Sequence, residues 1–432
     1  MAGVFEIPIE EADEAREEFE KKLKKLPVLT LPSASTPYIE CAANLYSELA
    51  KTDRFFVRDR RLVRLMPSAK SPLEQVDHAS FVNILEQYFS LATWRQIPDG
   101  VALKPSRCSR EAAKILLSTD LADWLKTVTI ATDAPIFAEM NKQLTVLPKG
   151  YHDICGGVWV LKDHNIGNIG LERAKASLLS LLDDFDFVTA SDKSRAIASF
   201  ITPALRFGGL LKADVPLDIA EADQSQSGKT YRQKIACALY GEKPFVITLK
   251  EKDSGVGSLE EAISEGILSG RSFLIVENAR GKIACQLLES AIRGAGHVNV
   301  RCPYARGVQA ETDGICWMLS SNAAQTTLDL ANRSVITRVR KRPREKVFKT
   351  YPEGDVLAHV QANTDYYLCC IYTVLCEWYQ RGKLRTKEFR HDFLEWCQTL
   401  DWIVQNVFDC APLLDGHREE QDRISSPELG WL

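Results

Sequence analysis

The residues whose types and spacing can do chemistry begin at Gly228-Lys229-Thr230. They close the run Asp223-Gln224-Ser225-Gln226-Ser227, which succeeds the apolar segment Val215-Pro216-Leu217-Asp218-Ile219-Ala220. A helix-compatible segment from Tyr231 to Leu239 comes next. Strand, tight loop and helix in that order are the context of a phosphate-binding loop, in which backbone N–H groups and the positive end of the helix surround an anion. In that arrangement Gln224, Ser225, Gln226, Ser227 and Gly228 supply the cradle, Lys229 reaches the β- and γ-phosphates, and Thr230 places its hydroxyl on Mg²⁺. Asp223 stands where the first glycine of G-x-x-x-x-G-K-[ST] belongs. The tripeptide alone is common, so its weight depends on the residues downstream of it.

Nucleotide hydrolysis needs an acid at the end of a second buried strand. Phe273-Leu274-Ile275-Val276-Glu277-Asn278 supplies one 48 residues beyond Lys229. Four apolar residues read as a short buried strand, with Glu277 at its carboxyl end where α/β sheets place ligand chemistry. Glu277 is the expected second protein contact to Mg²⁺. Asn278 can orient a water but is a poor base. A third strand, Gly314 to Ser320, ends in Ser321-Asn322, and Asn322 can hydrogen-bond a γ-phosphate or the lytic water. Asp329-Leu330-Ala331-Asn332-Arg333 then leads into Ser334-Val335-Ile336. An arginine there can reach a nucleotide held by a neighbouring subunit and stabilise transition-state charge. The expected cofactors are ATP and Mg²⁺.

The elements that position these residues span 432 residues, enough for two or three domains. Net charge is −4, which excludes a bulk basic nucleic-acid binder and confines phosphate contacts to local clusters. Twelve cysteines include no C-x-x-C pair and several lie in apolar runs, so they read as free thiols in a reducing cytoplasm. His152 and Cys155 form an isolated H-x-x-C, insufficient for a metal site. No run approaches the roughly 20 apolar residues of a membrane span, and the acidic N-terminus is unlike a signal peptide.

Along the chain, residues 1–35 read as a charged helix (10–25) and linker, and 36–165 as a small α/β domain. Within the latter, 38–51, 72–94 and 109–125 read as helices, Arg54–Leu65 as a hairpin, and Thr127–Val160 as broken strands. The five arginines of 54–64 interleave with aromatics. They suit a nucleic-acid contact or the solvated face of an edge hairpin. Two helices over 171–207 lead to the phosphate loop. Residues 166–345 form the expected nucleotide domain and 346–432 a helical C-terminal domain. In it, the stripe Tyr366, Tyr367, Tyr372, Trp378, Tyr379 reads as helix packing, and the polar end from Gly416 as loosely ordered. Arg338–Lys346 is the strongest positive cluster, suited to DNA, an acidic partner, a nucleotide or a solvated face.

LDIAEADQSQSGKT, FLIVENARGK, WMLSSN and DLANRSV, in this order, resemble superfamily-3-type replicative helicase ATPases. They are more similar still to the P-loop ATPase regions of bacteriophage and mobile-element primase-helicase proteins. KGYHDICGGVWVL and DFLEWCQTLDWIVQNVFDCAPLL look like the flanks of that region, so the resemblance covers most of residues 40–420. It implies an AAA+-like P-loop NTPase core with a mainly parallel central sheet, and a helical or winged-helix-like C-terminal lid is expected to follow. It also implies a hexameric ring, ATP-driven movement along DNA, single-stranded for preference, and a role in replication of a phage or other mobile element. Arg333 would act across the ring interface. A hairpin within His297–Val308 would line the ring channel, with Arg301 and Arg306 on the backbone and Tyr304 near a base; an ordinary connection between strands is the alternative. No primase region is visible, so the priming half is absent or is another polypeptide. Asp223, Gln226, the Glu277-Asn278 pair and Asn332 depart from the family's usual residues and bear on hydrolysis more than on binding. Asp223 and Asn278 suit a second function, a nucleotide-stabilised assembly scaffold or loader with little turnover. A third is a DNA-binding initiator that recognises its site through Arg54–Arg64.

Overall fold

The computed structural model describes residues 26–66, 72–98, 100–120, 124–212, 214–222, 224, 227–248, 258–293, 297–301, 308–343 and 345–426. The expected helix at 10–25 lies outside them. The chain divides into two compact units, Met1–Met66 with Glu74–Thr127, and Pro67–Leu73 with Val128–Leu432.

The first unit runs β1 (Val28–Thr30), α1 (Tyr38–Ala50), β2 (Phe55–Arg58), β3 (Arg61–Leu65), β4 (Leu73–Gln75), α2 (His78–Tyr88), β5 (Ser90–Ile97), β6 (Gly100–Pro105) and α3 (Arg110–Leu117). Helix α1 buries Cys41, Ala42, Leu45, Tyr46 and Leu49, a stripe at helical spacing, and the Tyr46 hydroxyl donates to the Leu116 carbonyl at 2.9 Å. Strands β2 and β3 form the expected hairpin. Asp59 and Arg60 both take positive φ at its turn, as a two-residue primed turn requires. Its arginines are less available than their density suggests. Arg58 is buried beside Asp59, and Arg64 donates from Nε and Nη2 to Glu74. The expected continuous helix over 72–94 is corrected to β4, α2 and the start of β5. Asp77 and Ser80 cap α2 reciprocally, and Phe89 leaves the helix in an extended conformation.

The second unit begins with β7 (Ile130–Thr132), β8 (Phe137–Met140), β9 (Gln143–Val146), β10 (Gly150–His152) and β11 (Val158–Val160). Then come α4 (Leu171–Ser180), β12 (Asp186–Phe187), α5 (Ala190–Phe207), β13 (Leu217–Ala222), α6 (Lys229–Leu239), β14 (Phe245–Thr248), α7 (Leu259–Leu268) and β15 (Phe273–Ala279). They are followed by β16 (Lys282–Ile283), α8 (Gln286–Ile292), β17 (His297–Val300), β18 (Val308–Glu311), β19 (Cys316–Asn322), β20 (Gln325–Thr326), α9 (Leu328–Asn332) and β21 (Ser334–Arg340).

The central sheet has the order β12-β21-β13-β19-β15-β14. All its neighbours pair in parallel except β12, which is antiparallel to β21 at the edge. Every residue of β13 is buried, as are the first four of β15 and the first six of β19. Such strands read as continuous apolar runs because helices cover both faces. Residues 128–165 cluster with this unit, so the boundary expected near 165 falls inside it. The buried Glu242 carboxylate fastens this segment by accepting from Thr132 Oγ1 and from the Asp133 N–H.

The last helices are α10 (Val356–Ala362), α11 (Thr364–Gln380), α12 (Leu394–Asn406) and α13 (His417–Ser425). Tyr367 and Trp378 are core residues of α11, in keeping with packing. The stretch from Gly416 is corrected from a loose tail to a docked helix. His417, Gln421 and Ile424 of α13 are buried at turn spacing. Gln421 Nε2 donates to the Ala331 carbonyl at 2.9 Å, and His417 Nε2 accepts from the Ile336 N–H at 3.2 Å. Two cations of the cluster at 338–346 are engaged. Arg338 pairs with Glu420 at 2.8 Å, and Arg342 donates to the carbonyls of Asp183, Asp184 and Phe185.

Candidate nucleotide site

The loop between β13 and α6 opens at the carboxyl edge of the sheet, between β21 and β19. Gly228 is the N-cap of α6 with φ +88°, a left-handed conformation that a side chain strains. A Cβ there would also stand 3.2 Å from Cε1 of Phe185. The helix behind it is fixed by buried polar contacts. Arg232 pairs with Asp218 at 2.6 Å and donates to Ser199 at 2.7 Å. Gln233 Nε2 reaches the carbonyls of Asp218 at 2.9 Å and Leu319 at 3.0 Å, tying α6 to two adjacent strands.

At the start of this helix, Lys229 is only 6% exposed. Burial pushes its pKa below the ordinary lysine value, and the Glu277 charge opposes that shift. Ser227 is buried, and its Oγ has no hydrogen-bond partner among the described residues. Gln224 is exposed. Ser225 and Gln226, together with Asp223, lie outside the described residues.

Left-handed residues stand at the carboxyl ends of β15 and β19, Asn278 at φ 54° and Ala323 at φ 59°. The β15–β19 register shifts between Val276 and Ala279, so Glu277 and Asn278 sit on an irregularity that re-aims them. Ser320 of β19, fully buried, joins the parts. Its Oγ accepts from Thr230 Oγ1 at 2.8 Å and from the Asn278 N–H at 3.0 Å. Glu277 pairs with Lys234 of α6 at 3.0 Å. Asn322 ends β19 with its side chain exposed. Thr230, Ser320, Asn278, Glu277 and Lys234 thus form one connected polar cluster, with Lys229 at its border and Asn322 on the adjacent strand tip.

The other expected residues lie elsewhere. Arg333 directly precedes β21, whose first residue is in register with Leu217 at the start of β13, so it stands at the amino edge of the sheet. It is 8% exposed, donates to the Glu289 carbonyl at 2.6 Å and pairs with Asp329 at 2.8 Å. It borders a cleft of about 660 Å³ that Arg206, Lys212, Arg293 and Asp313 also line. This cleft is larger than the 340 Å³ cavity at the carboxyl ends of β13 and β21, but Lys229, Glu277 and Asn322 do not line it. Strands β17 and β18 pair antiparallel from His297↔Glu311 to Val300↔Val308. Arg301 is exposed just beyond β17, and Tyr304 and Arg306 lie outside the described residues.

Sequence reasoning missed Ser320 and Lys234. Ser320 sat in a strand read for its apolar residues; a hydroxyl two positions before Asn322 was the available signal. Lys234 lies five residues beyond Lys229 and had no signal short of the fold. Also missed was Arg423 of α13, which binds Glu221, the residue before the last of β13, through Nη1 and Nη2. It closes one side of the cavity lined by Val188, Ala222, Ala323, Val339 and Arg340.

The residues fit the groups they would hold. An orphaned buried hydroxyl at Ser227 and a buried lysine at a helix N-terminus suit a phosphate. Mg²⁺ on a nucleotide takes few protein oxygens and keeps waters, which Thr230 and Glu277 can satisfy. No group of three or more His, Cys, Asp or Glu side chains among the described residues could hold a metal by itself. Among the described residues no helix is long and apolar enough to cross a membrane.

No known family and no curated protein matches the sequence. Among solved structures, the chain is similar to the apo A form of the NrS-1 C-terminal region, at 10% identity and a TM-score of 0.44, over 76% of this chain and 68% of that one. It is similar to SCCmec type IV Cch, described as an active helicase, at 9% identity and a TM-score of 0.32, over 87% and 78%. For JCV helicase the figures are 13% and 0.27, over 62% and 63%.

Proposed function

We propose that the chain is an ATP-dependent motor on DNA, with a P-loop ATPase of AAA+ type in its second unit. The observation that carries this reading is the cluster joining the start of α6 to two strand tips: Thr230 and Asn278 meet on Ser320, with Glu277 and Lys229 beside them. A bound nucleotide supplies the phosphoanhydride to be broken. Lys229 binds its charge, and the Gly228 N-cap and Ser227 hydroxyl orient it. Thr230 and Glu277 hold the Mg²⁺, exchanging their contacts to Ser320 and Lys234. Asn278 and Asn322 orient water.

Arg333, at the opposite edge of the sheet, serves a neighbouring copy in a head-to-tail hexamer. The β17–β18 hairpin with Arg301 faces single-stranded DNA. Replication of a phage or other mobile element, beside a separate primase, is the setting this implies.

The test is ATP turnover of the full chain with and without single-stranded DNA. DNA-stimulated hydrolysis that Lys229→Ala abolishes supports the motor. No turnover in the wild type, with or without DNA, refutes it.

The second reading is a nucleotide-stabilised scaffold or loader. It is favoured by the pairing of Glu277 with Lys234 and by an amide, Asn278, where a second acid would polarise water. Nucleotide-dependent oligomers without turnover would establish it.

A further inference from the structure

Strands β5 and β6 of the first unit make a feature that the nucleotide site does not use. Strand β1 pairs with β5 only at Ser90, Leu91 and Ala92. Beyond that point, among the described residues, β5 pairs with β6 alone, from Thr93↔Lys104 to Ile97↔Gly100. The outer part is therefore a two-stranded ribbon. Alternation along the strands puts Trp94, Leu103 and Val101 on one face, Trp94 and Leu103 being direct partners. These three are 42%, 39% and 61% exposed, so among the described residues the face is not covered. The other face carries Arg95 and Lys104, and Arg107 lies just past the end of β6; all three are exposed and form no ion pair among the described residues. Residues 90–110 contain four cations and a single acid, Asp99, which lies outside the described residues.

Cations on a free strand edge discourage edge-to-edge pairing, which would account for Arg95 and Lys104. It does not account for an exposed indole opposite an exposed leucine. An aromatic platform with unpaired cations around it matches one class of ligand, a flexible polyanion that carries its own flat rings. We propose that the β5–β6 ribbon is a binding site for single-stranded nucleic acid, with a base stacked on Trp94 against Leu103 and the backbone phosphates met by Arg95, Lys104 and Arg107. A ribbon is one backbone thick, so the long Arg95 and Lys104 side chains can reach past its edges to a strand lying on the apolar face. The site makes no use of ATP, and goes beyond the reading of the second unit.

The test uses the full chain without nucleotide and a fluorescein-labelled oligo(dT), with anisotropy titrations over a salt series. Trp94→Ala is expected to weaken binding at least about fivefold with the salt slope unchanged, and Trp94→Phe to restore most of the loss. Arg95→Gln with Lys104→Gln is expected to reduce the slope of log K against log salt by about 1.4, at roughly 0.7 per phosphate contact on a single strand. Lys229→Ala, measured alongside, should bind the oligonucleotide as the wild type does, so a failed ATPase would leave this result standing. Wild-type affinity and slope in both ribbon variants would overturn the proposal. So would a change of oligomeric state in Trp94→Ala, by sedimentation velocity, with oligo(dT) binding intact; that result would give the face to a second copy of the chain.

Discussion

Replacing Arg232 with methionine tests whether the helix that presents Lys229 is held by the ion pair beneath it. Arg232 is fully buried and Asp218 is 6% exposed. Their contact runs through one guanidinium nitrogen and one carboxylate oxygen at 2.6 Å, and Arg232 Nε and Asp218 Oδ2 have no partner among the described residues. Methionine keeps much of the volume but leaves the Asp218 charge in a dry site without its counterion. Removal of one member of a buried pair costs about 3–5 kcal/mol. The incomplete hydrogen bonding of this pair places the expected loss near the lower end, about 3 kcal/mol. Asp218→Asn in the same chain removes the stranded charge and should recover at least about half of that loss. With two compact units, a single unfolding transition is not a safe measure. Hydrogen exchange in urea, read on peptides covering 217–239, isolates the relevant region. A loss under about 1 kcal/mol in Arg232→Met, or no recovery on neutralising Asp218, would refute the argument that this pair fixes the helix.

The same geometry sets three further outcomes. Gly228→Ala puts a side chain into a left-handed conformation, at about 1–2 kcal/mol, and against Phe185. Affinity for a fluorescent ATP analogue should fall about tenfold or more, and an unchanged affinity would remove the loop from the site. Arg333→Ala should abolish turnover while ATP binding stays within about twofold; an equal loss of both would make its contacts to Asp329 and Glu289 purely structural. Burial holds His391 below the usual histidine pKa. It holds His417 well below it, with the charge on His391 and the guanidiniums of Arg195, Arg390 and Arg418 acting in the same direction. The Ser334 carbonyl, Asp392 and Glu388 oppose this for His391. Both rings are therefore harder to protonate in the fold than in the unfolded chain. Their contribution is fully present above an unfolded pKa of about 6.5 and is lost as pH falls toward the folded values. Peptides covering 417–425 should gain hydrogen exchange between about pH 6.5 and 5 in the wild type, and a His391→Gln, His417→Gln chain should show a smaller change.

The loop after β13 and the strands beside it were legible because their signals are local. Strands β15 and β19 open on four apolar residues each, and the Gly228-Lys229-Thr230 segment, Glu277 and Asn322 stand at or near strand ends. What was hidden depends on pairing across the sheet. Ser320 matters because β19 lies between β13 and β15, which no spacing along the chain discloses. Lys234 matters because the irregularity in β15 aims Glu277 at α6. Helix α13 was misread because nine residues with five charges look solvated; its buried stripe is only His417, Gln421 and Ile424, with Glu420 inside. Helix periodicity was carried past Phe89 into β5, since Leu91, Ala92 and Trp94 suit either period until Thr93 and the return strand β6 are counted.

The docking of α13 has a practical side. Arg423 and Glu420 complete ion pairs with Glu221 and Arg338, both within two residues of a strand's carboxyl end at the candidate nucleotide site. A recombinant chain cut before Gly416 would uncover the buried Glu221 carboxylate, the half-buried Arg338 guanidinium and the His391 ring together. A bulky affinity tag joined directly after residue 425 would load the same helix. Fusions intended for activity measurements therefore belong at the other end of the chain, and a C-terminally trimmed preparation that fails to bind ATP would say nothing about Lys229.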